Sequence, residues 1–153
     1  MITVREAIQI TQGLIVDNFP ELKAKPIKFS FVSGKGYDFY MAVKYIFFYP
    51  RIIIEKEILT FSKNAFCGCL AHELAHITID AQKSIFRRFL NVFISDPNSP
   101  TEERLADLLL IERGLGTALI QFHTEHEKEY KRYKLSEGLT KREIKVILSV
   151  MGK

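Results

Sequence analysis

Residues His72-Glu73-Leu74-Ala75-His76 place two imidazoles four positions apart, with a carboxylate beside the first. On an α-helix that spacing stacks the two rings one turn apart, so each can aim a nitrogen at the same ion. Neutral imidazole suits Zn²⁺, and a catalytic zinc site keeps three protein ligands and one open position, in which a water becomes acidic near neutral pH. Glu73 stands where a general base must stand to take that water's proton. The motif thus specifies metal, nucleophile and base, provided that a helix carries it and a third ligand arrives from elsewhere.

Two sources of that ligand are known for this pattern. A histidine six residues after His76 is ruled out, because that position is Gln82 and the glycine expected before it is Ile79. A glutamate from a later helix remains, and Ser99-Pro100-Thr101-Glu102-Glu103 announces such a helix. Ser99 is a good N-cap, Pro100 suits the first helical position, and Glu102 falls where a capping-box acid reaches back. With Glu102 so engaged, Glu103 is the expected ligand. Asp107, one turn further along the same face, can accept the second N–H of a zinc histidine and fix its tautomer. Ala106 is small enough to let the two helices approach. An acidic first turn that only complements the helix dipole would read the same way without the upstream histidines.

Periodicity supplies the elements that must hold these residues. Val4, Ala7, Ile8, Thr11, Leu14, Ile15 and Phe19 predict an amphipathic helix over 3–19. Alternation over Ile27, Phe29 and Phe31, a break at Ser33-Gly34-Lys35-Gly36, and alternation again from Tyr37 to Tyr45 predict a hairpin. Arg51–Glu55 is a short β-branched strand. Ser62 or Asn64 can cap the motif helix, which should run to about Ile79 and bury Phe66, Leu70, Leu74 and Ile77. Ile85, Phe86, Phe89, Leu90 and Phe93 form a further helical stripe, facing the core or else a partner or membrane. Residues 115–135 can continue as a helix, and Thr140-Lys141-Arg142-Glu143 is a capping box opening a last one with Ile144, Ile147, Leu148 and Met151 as its apolar side.

A chain of 153 residues, 47% of them hydrophobic, suits one α+β domain, with a sheet-and-helix part over about 1–80 and a helical part over about 81–153. The net charge of +4 is a mild excess. The late basic residues are interleaved with glutamates, so nucleic acid is not the expected partner. Cys67 and Cys69 point about 200° apart on a helix and cannot bridge, which suits small core residues in a reducing compartment, with an accessory place near the metal open to Cys69. The first residues lack the basic start and unbroken apolar core of a secretion signal, and no apolar run reaches the roughly 20 residues of a membrane span. A soluble, cytoplasmic protein is expected. Oligomeric state and substrate sequence are not written in the chain.

The pair His72-Glu73-Leu74-Ala75-His76 and Glu103-Arg104-Leu105-Ala106-Asp107 resembles the gluzincin metallopeptidases whose glutamate helix reads E-x-x-A-D, among them the small soluble minigluzincins. The resemblance spans about residues 51–116, with Gly114 and Gly116 closing the glutamate helix. It implies a zincin-like fold with a small antiparallel or mixed sheet, an active-site helix, a glutamate helix and C-terminal helices. It implies Zn²⁺ held by His72, His76 and Glu103, Glu73 as catalytic base, and a peptide or protein substrate. It also implies that the strand at 51–55 is the sheet edge above the cleft, to which an extended peptide adds. Members often add a group that steadies the oxyanion, for which His123, His126 and Tyr130 are candidates, although H-x-x-H on a polar helix is more often solvated surface. A C-terminal segment folded over the cleft would give a latent form, and a blocked site retained for a regulatory or adaptor role is the alternative to an enzyme.

Overall fold

The computed structural model describes residues 1–33, 38–47, 49–82, 100–129 and 138–152. Helix α1 (Val4–Asp17) begins with a closed capping box: the Thr3 hydroxyl accepts from the Glu6 backbone N–H, and the Glu6 carboxylate accepts from that of Thr3. A 3-10 turn (Pro20–Leu22) leads to strand β1 (Lys28–Val32), followed by β2 (Met41–Ile46), β3 (Tyr49–Glu55) and a second 3-10 turn (Lys56–Thr60). Four more helices complete the described chain: α2 (Lys63–Gln82), α3 (Pro100–Glu112), α4 (Gly116–Glu129) and α5 (Lys141–Val150). The protein is α+β, and none of these helices is long and apolar enough to cross a membrane.

The sheet differs from the expected hairpin. Its order is β1-β3-β2, with β3 in the middle, parallel to β1 and antiparallel to β2. The run Ile52-Ile53-Ile54 explains this placement, because an unbroken β-branched segment suits a strand flanked on both sides, and Ile52 and Ile54 are fully buried. The strand at 51–55 is therefore central, not an edge. Strand β2 passes to β3 by way of Phe47, without the glycine or asparagine that would have marked a hairpin turn there. The glycines at 34 and 36, where the turn was expected, lie outside the described residues, as does Tyr37.

Helix α2 is the pillar of the molecule. Ser62 caps it, its hydroxyl accepting from the Ala65 N–H. The expected stripe of Phe66, Leu70, Leu74 and Ile77 is buried, but so are Ala65, Gly68, Ala71 and Ala75, since α2 is enclosed by the sheet and by α1, α3 and α4. The tightest crossing is with α4. A Cβ on Gly68 would collide with the carbonyl of Ala118, so glycine is required for this approach. One apolar cluster runs from Ile2 through α2 to Ile144 and Leu148 of α5.

At the end of α3 the Gly114 N–H donates to Ile111 O and the Leu115 N–H to Leu110 O, with Gly114 at φ 81°, a left-handed helix stop. Gly116 does not belong to this stop but opens α4. Helix α4 is described to Glu129, short of the expected Leu135. Arg113 then ties the helical part to the α1 terminus, donating to Asn18 O at 2.6 Å and pairing with Glu21 at 2.8 Å. Helix α5 carries the expected Thr140–Glu143 capping box and packs on α3 and α4. The apolar stripe at 85–93, the cap residue Ser99 and Tyr130 lie outside the described residues.

Candidate metal centre

Because α2 is a continuous helix through the motif, His72 and His76 project from the same face, and α3 brings Glu103 and Asp107 against them. His72 Nε2 lies 2.9 Å from Glu103 Oε2 and 3.0 Å from His76 Nε2, and His76 Nε2 lies 3.4 Å from Glu103 Oε1. All three donor groups fall within 4.8 Å of one another. An ion with metal–nitrogen bonds of about 2.0–2.1 Å in tetrahedral geometry separates its ligand atoms by about 3.3 Å, so the spacing fits the edges of such a tetrahedron. Two imidazoles and one carboxylate also suit zinc chemically. The residues present therefore fit a bound divalent metal.

Asp107 is only 2% exposed and is fully engaged. Its Oδ1 is 2.9 Å from His72 Nδ1, and its Oδ2 accepts from the Leu139 backbone N–H at 2.6 Å. With Asp107 holding a proton on Nδ1, the lone pair of His72 is placed on Nε2, toward Glu103 and His76. Burial works against a charged His72 ring. Hydrogen bonds to Asp107 and Glu103, with the charges of Asp107 and Glu73, outweigh it and hold the imidazole well above its ordinary pKa. In the absence of metal the two acids thus stabilise a proton on the nitrogen that a metal would use.

Glu73 is 8% exposed. Burial raises its pKa, the charges of His72 and His76 lower it, Glu103 raises it, and a backbone hydrogen bond from Val43 lowers it. The net direction is upward from the ordinary carboxylate value, the direction that makes a carboxylate a better proton acceptor. Val43 also identifies the strand beside the site. Since the Glu55 N–H donates to Tyr40 O at 2.8 Å, alternation along the antiparallel pair turns the backbones of Ala42 and Lys44 toward β3 and those of Met41, Val43 and Tyr45 away from it. The edge next to α2 is β2, one strand over from the expected 51–55. Tyr45 fastens that edge to the end of α2 by donating to Asp80 at 3.0 Å.

The remaining candidates separate. His126 is not at the centre: its Nδ1 is 2.9 Å from the Tyr40 hydroxyl, and it packs in an aromatic cluster with Phe61 and Phe122. Burial lowers its pKa, partly offset by Glu127. His123, three residues earlier on α4, is half-buried and within electrostatic reach of Asp107 and His72, while burial depresses its pKa. Cys69 lies one turn before Glu73 with a thiol pushed well up by burial and then by the Glu73 charge, so it is a neutral core group. Both cysteines are free.

Sequence reasoning missed Gly138 and Leu139. A Cβ on Gly138 would overlap Asp107 Oδ2, so glycine lets the C-terminal segment lie directly on that carboxylate. The only signal was Gly138 two residues before the Thr140 capping box. Described residues of the tail follow the helical side, with Leu139, Ile144 and Leu148 buried, instead of a path across the edge strand. Comparison of the chain with protein-family models, with curated proteins and with solved structures returned no match.

Proposed function

We propose that this chain is a zinc-dependent peptidase in which His72, His76 and Glu103 hold the metal and Glu73 is the general base. The observation that carries the reading is the convergence of the three donors with Asp107 behind His72 and a buried, upward-shifted Glu73 beside them. An isolated surface ion pair needs neither the second imidazole nor the buried acid.

A zinc ion bound there supplies Lewis acidity, polarising a carbonyl oxygen and making a water acidic near neutral pH. Glu73 takes one proton from the attacking water as its oxygen bonds to the scissile carbonyl carbon, then returns it to the amide nitrogen as the carbon–nitrogen bond breaks. With the Val43 N–H held by Glu73, the outward carbonyl of Val43 and the outward backbone of Met41 supply donors and acceptors for an extended peptide laid along β2. Asp107 keeps His72 in one tautomer throughout. His123 is the described candidate for steadying the oxyanion, because it lies within electrostatic reach of Asp107 and His72.

The test is cleavage of an unstructured peptide mixture by zinc-loaded full-length protein beside Glu73→Gln at equal zinc occupancy. A rate lower by about a hundredfold or more in the variant is expected. Equal cleavage by the two proteins removes Glu73 from the reaction, and no cleavage by stoichiometrically loaded protein favours a binding or regulatory role. Truncation before Gly138 is unsuited to testing latency, because it also strips the Leu139 N–H from Asp107 and opens the core at Ile144.

A further inference from the structure

Beyond the Tyr45–Asp80 bond, the tip of the β2–β3 hairpin combines three features that the proposed reaction does not use. Phe47 occupies the first loop position with φ 56°, a conformation in which bulky residues are strained and for which Asn, Asp or Gly is the ordinary choice. It is also 89% exposed. Tyr45, Ile46 and Tyr49 beside it are exposed as well, so strain is accepted to hold a phenyl ring in solvent at the end of an apolar finger.

Behind that finger lies a row of cations. Lys28 pairs in register with Arg51, and Arg51 with Lys44, so three positive side chains stand side by side across all three strands on one face. Like charges directly opposite are destabilising within a sheet. No carboxylate is recorded against these three among the described residues, and the Arg51 Nε is buried without a partner. Lys28, Arg51, Ile46, Phe47 and Tyr49 line one shallow hollow, with Lys28 Nζ 6.0 Å from the Tyr49 ring centre. The stretch from Leu22 to Ile54 holds six Lys or Arg and one Asp, more than the +4 of the whole chain, so the protein's positive charge resides in this part.

We infer that this tip docks the protein onto an anionic lipid bilayer surface: Phe47 enters the interface while Lys28, Arg51 and Lys44 meet headgroup phosphates and carboxylates. Charge complementarity selects an anionic surface, and the projecting ring flanked by tyrosines selects a bilayer over a soluble polyanion, since aromatic residues with one apolar and one wet end settle at the headgroup boundary. Tyr45, fixed to Asp80, braces the finger against α2. The inference does not depend on the metal centre.

The test is co-sedimentation of the full chain with phosphatidylcholine vesicles and with vesicles in which about a third of the lipid is phosphatidylserine, at low salt. Three cations, each contributing about fivefold near the surface, predict about a hundredfold preference for the anionic vesicles. Lys28→Gln with Lys44→Gln should lower that binding about twentyfold. Phe47→Asn should also weaken binding while leaving the thermal midpoint equal or higher, because asparagine tolerates the turn; a ring needed only for packing would lower the midpoint instead. Four results overturn the inference: equal binding to both vesicle types, no binding to either, binding unchanged in both variants, or displacement by millimolar glycerophosphoserine or polyglutamate, which would indicate a site for soluble anions.

Discussion

Helix α2 meets its two helical neighbours by opposite means. Against α4 the contact is backbone on backbone: Gly68 lies over the Ala118 carbonyl, and Leu70, Leu119 and Phe122 fill the space around it. Against α3 the contact is made at its centre by ionisable groups, His72 and His76 facing Glu103 and Asp107, with only Ala106 allowing close approach. The first interface should hold whatever is bound. The second gathers two buried carboxylates around imidazoles, an arrangement whose desolvation cost is offset by mutual pairing or by a cation. A rigid wall on one side and a polar, ligand-dependent wall on the other is what a centre needs if its geometry is to survive loading and unloading.

The largest effect should come from spoiling the rigid wall. Gly68→Ala puts a methyl group into a main-chain carbonyl that cannot rotate away, so the helices must separate. A loss of about 3 kcal/mol is expected by urea unfolding, similar with and without zinc. A loss seen only in the zinc-loaded protein would mean that α4 too is held by the centre, and the contrast would fail.

Next in size are changes to the polar wall. Asp107→Asn should reduce zinc affinity about ten- to a hundredfold, read by competition with a chromophoric chelator. Gly138→Ala should act in the same direction but less, about tenfold or below, because it disturbs Asp107 only from behind. Combining the two should cost little more than Asp107→Asn alone, as befits a shared pathway. Full additivity would show that Gly138 acts on folding and not through the carboxylate.

Which parts of this arrangement are legible in the chain follows from how local each is. The convergence of His72, His76 and Glu103 can be read because helix periodicity places the histidines and a cap signal separates Glu103 from Glu102. Both capping boxes and the Gly114 stop are equally local, set by residues within one turn. The sheet is not. Pairing of β1 with β3 joins residues more than 20 positions apart, and glycines at 34 and 36 are a better hairpin signal than the short link at Phe47 between β2 and β3. Gly68 and Gly138 are silent for a related reason: a glycine's role there is set by the atom of another element that it admits, the Ala118 carbonyl or the Asp107 carboxylate. His126 misleads because its spacing from His123 suggests a pair, whereas a difference of about 60° in direction and about 4.5 Å along the helix axis sends it to Tyr40.

The smallest effect concerns the two capping boxes, which have the same residues in different company. In each, the glutamate pKa is lowered from 4.5 to about 2: by the Arg104 ion pair and then Thr140 for Glu143, and by Thr3 and then Lys63 for Glu6. A folded-state pKa below the unfolded one gives stability that is present above pH 4.5 and is lost as the pH falls from there through about 2. Both helix starts should therefore loosen in that window, seen as loss of amide protection at Glu6 and Glu143. At neutral pH their neutral variants should diverge. Glu143→Gln releases Arg104 on α3 and loosens Thr140, the residue after the Leu139 N–H that holds Asp107, so zinc affinity should fall severalfold. Glu6→Gln disturbs only the α1 start and its Lys63 pair at the foot of α2, and zinc affinity should not change. If both variants bind zinc equally well, the segment from Gly138 to Thr140 holds its place on Asp107 through Leu139 and Ile144 alone, and the polar wall of the centre ends at that leucine.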